Sequence, residues 1–276
     1  MSYKKILTIQ DISCVGQCSL TVALPILSAC GMETCILPSA VLSTHTAGFS
    51  GFTFRDLTDD IPDIQKHWQK ENIKFSAIYT GYLGSTKQVD YVKDILETMG
   101  TDDCVRIVDP AMADNGSLYP AFDAAYVDAM KTLCGAADIL IPNITEACFL
   151  ADVDYKETYD TEYIKVLADK LVSLGAKTIV LTGVSYAAGK TGVVVYENGN
   201  MEYYEHNKIA KGCHGTGDIY ASAFTGALMN GKRVFEAAKI AADYTMKCII
   251  NTQAYPEHWY GAMFETALRD LIDMVK

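Results

Sequence analysis

The sequence has no C-x-x-C pair, no internal repeat, no excess of positive charge and no apolar run near the ~18 residues that span a membrane. Each absence removes a class of function. The nine cysteines (14, 18, 30, 35, 104, 134, 148, 213 and 248) are scattered without metal-ligand spacing, which excludes a zinc module and points to reduced thiols in a cytoplasmic protein. Lys and Arg number 23 against 34 Asp and Glu, for a net charge of −11. A surface this acidic argues against nucleic acid or an anionic membrane as partner. The opening "MSYKKILTIQD" returns to charge after a short apolar run, as a first strand does and a signal peptide does not. The loop "DISCVGQC" holds a single glycine, so the G-x-G-x-x-G of a nicotinamide-dependent dehydrogenase is missing.

A complete phosphate loop is missing too. "VLTGVSYAAGKTGVVVYENG" (180–199) contains G-K-T, but Val184 stands where the first glycine belongs. β-branched residues follow the lysine, so the sequence predicts the turn of a β-hairpin at Ala187–Thr191.

What the chain does have is alternation. Half of its 276 residues are hydrophobic and 21% are charged, enough for one globular domain spanning 1–276. Apolar runs at "KKILTIQ", "ETCILP", "KFSAIYTG", "DDCVRIVDP", "AADILIPN" and "AKTIVLTG" read as buried strands. Helical patterns separate them: "SLTVALPILSACG", with Ser19 as N-cap and Gly31 as stop, then 86–99, 120–133, 143–151 and 160–174. Two consecutive helices follow the hairpin, and a last one closes the chain near 261–275. This order predicts an α/β three-layer sandwich, a mostly parallel sheet with helices on both faces. "STHTAGFSGFTFRDLTDD", too polar for core, is expected to form a small flap over one end of it.

In such a sheet, ligands gather at the carboxyl ends of the strands. Those ends carry Asp11 and Ser13, Ser43 to Thr46, Gly81 to Ser85 (with Tyr82 among them), Asp109, Asn143 with Glu146, and Thr182. The sharpest stretch is "KGCHGTGDIYASAF" (211–224), where Gly215-Thr216-Gly217-Asp218 opens an apolar helix. Glycines and free N–H groups at a helix start suit an anion, by roughly 0.3–2 kcal/mol. An aspartate there reads either as an ordinary helix cap or as a base beside a phosphoryl group.

The G-T-G-D stretch resembles the signature of ribokinase-like small-molecule kinases. With "GYLGS" (81–85), "DPAMADNGSLY" (109–119), "PNITEACFL" (142–150) and "STHTAGF" (43–49), nearly the whole chain resembles the pyridoxal kinase branch. That resemblance implies an ATP- and Mg²⁺-dependent enzyme, homodimeric, phosphorylating the 5′-hydroxymethyl group of pyridoxal, pyridoxamine or pyridoxine. It implies Asp218 as general base and Gly215, Thr216 and Gly217 as the anion hole. Asp109 and Glu146 would organise Mg²⁺ largely through water, beside Asn143. Asp114 and Tyr119 would lie in the loop over the ATP phosphates, with Thr182 on the phosphates and Gly183 giving room. Thr46 and His45 would line the pyridoxal pocket, and Lys190 would neighbour ATP without being a Walker lysine.

Two positions depart from the family. Gln10-Asp11-Ile12-Ser13 stands where many members read Q-S-H-V, so Asp11 could accept from a protonated pyridine nitrogen or an amine. Ala113 replaces a usual glycine. Hydroxymethylpyrimidine kinases are the nearest rival, but usually read G-T-G-C at the position of Asp218, and the early G-G-N of sugar kinases is missing. A non-catalytic vitamin-binding protein would need neither Asp218 nor Glu146. Cys213 reads as a packing residue, or as a thiol able to add reversibly to an aldehyde. His214 reads as a loop-packing or a solvent-facing residue.

Overall fold

The computed structural model describes residues 3–209 and 212–276. Met1, Ser2, Ala210 and the Lys211 that opens the G-T-G-D stretch lie outside the described residues. The chain runs β1 (Lys5–Ser13), α1 (Leu20–Ala29), β2 (Glu33–Leu42), β3 (Phe54–Asp56), α2 (Ile61–Lys70), β4 (Phe75–Thr80), α3 (Thr86–Thr98) and β5 (Gly100–Val108). A short hairpin follows, β6 (Ala113–Asp114) and β7 (Ser117–Leu118), then α4 (Ala124–Cys134), β8 (Ile139–Leu140), α5 (Ile144–Ala151) and α6 (Thr161–Ser173). The last elements are β9 (Thr178–Val184), β10 (Lys190–Glu197), β11 (Asn200–Asn207), α7 (Thr216–Met229), α8 (Val234–Gln253) and α9 (Leu268–Val275).

Nine strands form one sheet in the order β11-β10-β9-β8-β5-β4-β1-β2-β3. The six from β2 to β9 pair in parallel, while β3, β10 and β11 join antiparallel at the edges. Successive side chains of a strand point to opposite faces, and the buried residues sort accordingly. Leu7, Ile78, Val108, Leu140 and Leu181 pack under α2 to α6. Ile6, Tyr79, Ile107, Ile139 and Val180 pack under α1 and α7 to α9. Both faces are covered, which is why these strands read as continuous apolar runs instead of alternating.

The connections fix where a ligand can enter. From β1 the chain passes through α1 to β2 on one side, then returns across to β4 on the other side of β1 and moves away through β5, β8 and β9. The order therefore reverses between β1 and β4, and the carboxyl ends of these neighbours open a crevice.

Local chemistry explains where the elements depart from the sequence reading. The expected flap is partly an edge strand: β3 pairs with Ala40–Leu42 of a β2 longer than "ETCILP" suggested. The unanticipated α2 begins with Pro62 in its first turn, a position that proline tolerates. The 120–133 helix starts later, at the Asp123 cap, which accepts from Tyr126 N at 3.0 Å. The 180–199 hairpin turns at residues 185–189, so Lys190 and Thr191 already lie in β10. The loop "DPAMADNGSLY" carries the β6–β7 hairpin, with Asn115 and Gly116 at φ 51° and 79°. Asn-Gly suits a turn that needs positive φ at both central positions.

Candidate active site

Asp11 sits at a register irregularity between Gln10 and Ile12 at the end of β1. Bulges of this kind re-aim a side chain out of the ladder. Its carboxylate accepts from Ser13 Oγ (2.9 Å) and Ser19 Oγ (2.6 Å). Burial nonetheless raises its pKa above the usual carboxylate range. Beside it, Gly81 continues from β4; a Cβ there would lie 2.8 Å from the amide of Gln10, so only glycine leaves that side chain its place. The Tyr82 hydroxyl is raised by burial and then by the Asp11 charge. The Tyr82 ring lies 5.5 Å from that of Phe122, which stacks on Tyr126 at 3.8 Å.

Asp218 comes to this crevice from the other core. Gly215 holds the cap position of α7 at φ 76°, and a Cβ there would lie 1.6 Å from the Gln17 carbonyl oxygen. The first backbone bond of the helix is Ile219 N to Gly215 O (3.0 Å), so the amides of Thr216, Gly217 and Asp218 precede the ladder. Gly217 is exposed, and a Cβ there would meet nothing within 4 Å. Asp218 is not the helix cap. Its Oδ2 accepts instead from the backbone N–H of Ser19, at 2.9 Å. Burial, then the charges of Asp109 and Asp11, push its pKa up to about 7, against the lowering effect of the Ser19 amide. A carboxyl with a pKa near the working pH is suited to proton transfer.

A second carboxylate pair closes the other side. Asp109 N donates to Thr80 O (2.9 Å), which holds the residue beyond β5 against the end of β4. Asn143 and Glu146 cap α5 reciprocally: Glu146 N donates to Asn143 Oδ1 and Asn143 N to Glu146 Oε2, both at 2.9 Å. Glu146 Oε1 accepts from Met112 N at 3.1 Å. Burial, and for Asp109 also the Glu146 charge, raise both carboxyls. Among the described residues no Lys, Arg or His forms an ion pair with Asp11, Asp109, Glu146 or Asp218.

The remaining predicted residues divide. Thr182 bridges Asn143 and donates its N–H to Pro142 O (2.9 Å), so it borders the carboxylate pair. Gly183 follows at φ 73° beside open space. Tyr119 faces the same group, its hydroxyl raised by burial and by Glu146, Asp109, Asp114 and Asp218. Asp114 is exposed on the β6–β7 hairpin and accepts from Asn115 N at 2.8 Å. Lys190 turns to β11, with Nζ 3.0 Å from Asn207 Oδ1. Both ring nitrogens of His45 are occupied: Ala47 N donates to Nδ1 (3.2 Å), so Nε2 carries the proton and donates to Tyr260 O (2.6 Å). His45 thus ties the loop after β2 to the loop before α9. Phe49 helps, 4.6 Å from Trp259, while Thr46 next to it is exposed. His214 lies 5.4 Å from the His45 ring. Cys213 packs beside the α7–α8 core, whereas Cys18 neighbours Asp218 and Asp11 and is held as a thiol by burial and their charges.

Sequence reasoning missed the contact that Ser19 makes and the aromatic wall at Phe122. Ser19 was legible only as a helix cap, and nothing in its identity announces a backbone amide turned to a residue 199 positions away. The free amides at the start of α7 suit an anion, the buried carboxylates near them suit a cation, and Asp218 can move one proton.

Known proteins share this arrangement of the chain. The fold superposes on a candidate phosphomethylpyrimidine kinase of Bacteroides thetaiotaomicron, crystallised with pyridoxal, at TM-score 0.93 and 37% identity, covering 98% of this chain and 96% of that one. It superposes on the pyridoxal kinase of Lactobacillus plantarum at TM-score 0.92 and 30% identity, covering 99% and 98%. The pyridoxine/pyridoxal/pyridoxamine kinase of Bordetella bronchiseptica is 25% identical over 260 residues, 90% of this chain and 89% of that protein. A model of the phosphomethylpyrimidine kinase family matches residues 24–263, and on that match the chain belongs to this kinase family.

Proposed function

We propose that the protein transfers the γ-phosphoryl group of ATP to the 5′-hydroxymethyl group of a vitamin B6 vitamer. The observation that carries the substrate class is the pyridoxal held by the Bacteroides relative, at 37% identity over almost the whole chain. Asp218 supports the chemistry. As the acceptor oxygen attacks phosphorus, the O–H proton passes to its carboxylate, and ADP leaves with the electrons of the broken P–O bond. The amides of Thr216 and Gly217 would face the transferring group, where helix-start N–H groups meet growing negative charge. The open space over Gly217 leaves that approach clear.

The donor set fits Mg²⁺. Among the described residues no three His, Cys, Asp or Glu side chains form a metal cage. Mg²⁺ asks for less: one or two carboxylates, with water and substrate phosphates completing the shell. Asp109 and Glu146 are such a pair, buried and without a cationic partner among the described residues. Bound there, the ion would neutralise phosphate charge, and the two residues would orient it largely through water.

A coupled ADP-release assay with MgATP tests the reading, offering pyridoxal, pyridoxamine, pyridoxine and hydroxymethylpyrimidine separately. Turnover of a B6 vitamer, lost in Asp218→Asn, is expected. Turnover of the pyrimidine alone would move the protein to hydroxymethylpyrimidine phosphorylation, the activity in the name of a relative from Aquifex aeolicus that is 24% identical over 196 residues. Bound vitamer with no ADP release would leave a binding protein.

A further inference from the structure

Ser19 adopts φ 55° and ψ −133°. That is the mirror-image β region, which glycine reaches freely and residues with a Cβ rarely adopt. All three polar groups of this residue are engaged. Its carbonyl accepts from Val22 N (3.0 Å) and Ala23 N (2.9 Å), starting α1. Its Oγ does not cap that helix, as a serine at this position usually would; it donates to Asp11 Oδ1 at 2.6 Å. Its N–H donates to Asp218 Oδ2 at 2.9 Å. Backbone strain of this kind persists only where surrounding contacts over-determine it, and it gathers at functional sites.

We infer that Ser19 is a positioning residue: its hydroxyl, anchored on Asp11, keeps its backbone in the unfavourable conformation that presents the amide to Asp218 and fixes that carboxylate. Asp11 then serves the reaction through Ser19, independently of any contact with the vitamer ring. The inference rests on the reading of Asp218 as the base. It makes an uncommon forecast, because glycine needs no anchor in this region. Ser19→Ala loses the Oγ bond but keeps the strain, so residue 19 relaxes and its amide leaves Asp218. Ser19→Gly loses the same bond and holds the backbone without it.

The test compares kcat and KM for Ser19→Ala and Ser19→Gly, together with a crystal structure of each. Alanine is expected to lower kcat about 10–100-fold, the scale of a misplaced catalytic group, with KM for vitamer and ATP nearly unchanged. Glycine is expected to recover most of that loss. The crystal structures should show the amide swung away from Asp218 in the alanine variant and still on it in the glycine variant. A glycine variant as slow as the alanine one, or an alanine variant with the amide still on Asp218, overturns the inference. The crystallographic comparison decides it even if no B6 vitamer is turned over. Undiminished turnover in Asp218→Asn would instead overturn the base, leaving the Ser19 geometry to be judged on the two structures.

Discussion

Glu146 is held at both carboxylate oxygens by backbone amides, Oε1 by Met112 and Oε2 by Asn143, whereas among the described residues the one amide on Asp109 is that of Ala111, at 3.2 Å from Oδ1. The two acids share a cluster but not a structural role. Replacing Glu146 by Gln turns an NH₂ toward one of two N–H donors, and a buried donor left unmatched costs about 1–3 kcal/mol. Replacing Asp109 by Asn removes a buried charge that repels Glu146 and strands little. Without ligand at pH 8, Glu146→Gln should therefore melt below the wild type and Asp109→Asn at or above it. Both should need more Mg²⁺ for half-maximal turnover, on the order of 10–100-fold if each orients the ion. Calorimetry and a Mg²⁺ titration of the rate check the pair; equal melting shifts of one sign would contradict the asymmetry.

The glycines of the G-T-G-D stretch should separate in the same way. Gly215 sits at φ 76°, with the Gln17 carbonyl where a Cβ would be. Left-handed backbone costs other residues roughly 1–2 kcal/mol, and the carbonyl must move as well. Gly215→Ala should lower the melting temperature without any ligand. Gly217 meets open space within the first turn of α7, where alanine is favoured over glycine by up to about 1 kcal/mol. Gly217→Ala should melt at or slightly above the wild type, yet bind MgADP more weakly, because the added methyl stands where a phosphoryl group would approach. Melting curves with and without MgADP distinguish the two; a Gly217→Ala variant with unchanged nucleotide affinity would remove Gly217 from the anion site.

His45 offers a third check. Its ring bridges the Ala47 amide and the Tyr260 carbonyl, and Gly16 passes so close that a Cβ there would be 2.1 Å from the ring. His45→Phe fills the space but leaves both backbone groups unpaired, for a loss of about 1–3 kcal/mol each if they stay dry. The loops it joins should become more sensitive to limited proteolysis near residues 46–52 and 255–261. Cleavage no faster than in the wild type would show that Phe49 and Trp259 suffice to hold them.

The parallel sheet and most of its helices were legible because strands covered on both faces must be apolar throughout, and Asn143 and Asp160 mark helix starts by their chemistry, whereas the Asp123 cap lies three residues inside the span expected for its helix. The strand-end rule points to Asp11, Asp109, Asn143 and Thr182 on a related ground: a polar residue that closes an apolar run sits where a parallel sheet opens to a ligand, and Glu146, three residues into α5, comes with the Asn143 cap. The β6–β7 hairpin had its signal too, in Asn115-Gly116, but strands of two residues are too short to show a period. Ser19 was not legible. Positive φ is announced by glycine, and a serine held there by Asp11 and Asp218 looks, in one dimension, like any helix cap. His45 reads in sequence as a pocket residue, and what one dimension does not show is that its two nitrogens are taken by backbone from its own loop and from the loop before α9.

Asp218 should leave its mark on both rate and stability as pH changes. Its pKa stands near 7 in the folded protein against 3.8 for an ordinary aspartate. Only the deprotonated form can accept the substrate proton, so kcat/KM should climb about tenfold per pH unit below 7 and level off above it. For stability the sign runs the other way from a salt-bridged carboxylate. Between pH 4 and 7 the folded state holds a proton that the unfolded chain has released, so stability falls as pH rises through that window and stays low above it. Asp218→Asn removes the buried charge that causes the fall. Its melting temperature should match the wild type near pH 4 and exceed it at pH 8, by about 2–4 °C for each kcal/mol recovered. The same variant should lose on the order of 10²–10⁴-fold in turnover. A stabilised but inactive protein at pH 8 is what a charge kept for catalysis at the expense of the fold produces; a variant neither stabilised at pH 8 nor slowed would show that Asp218 is an ordinary exposed carboxylate.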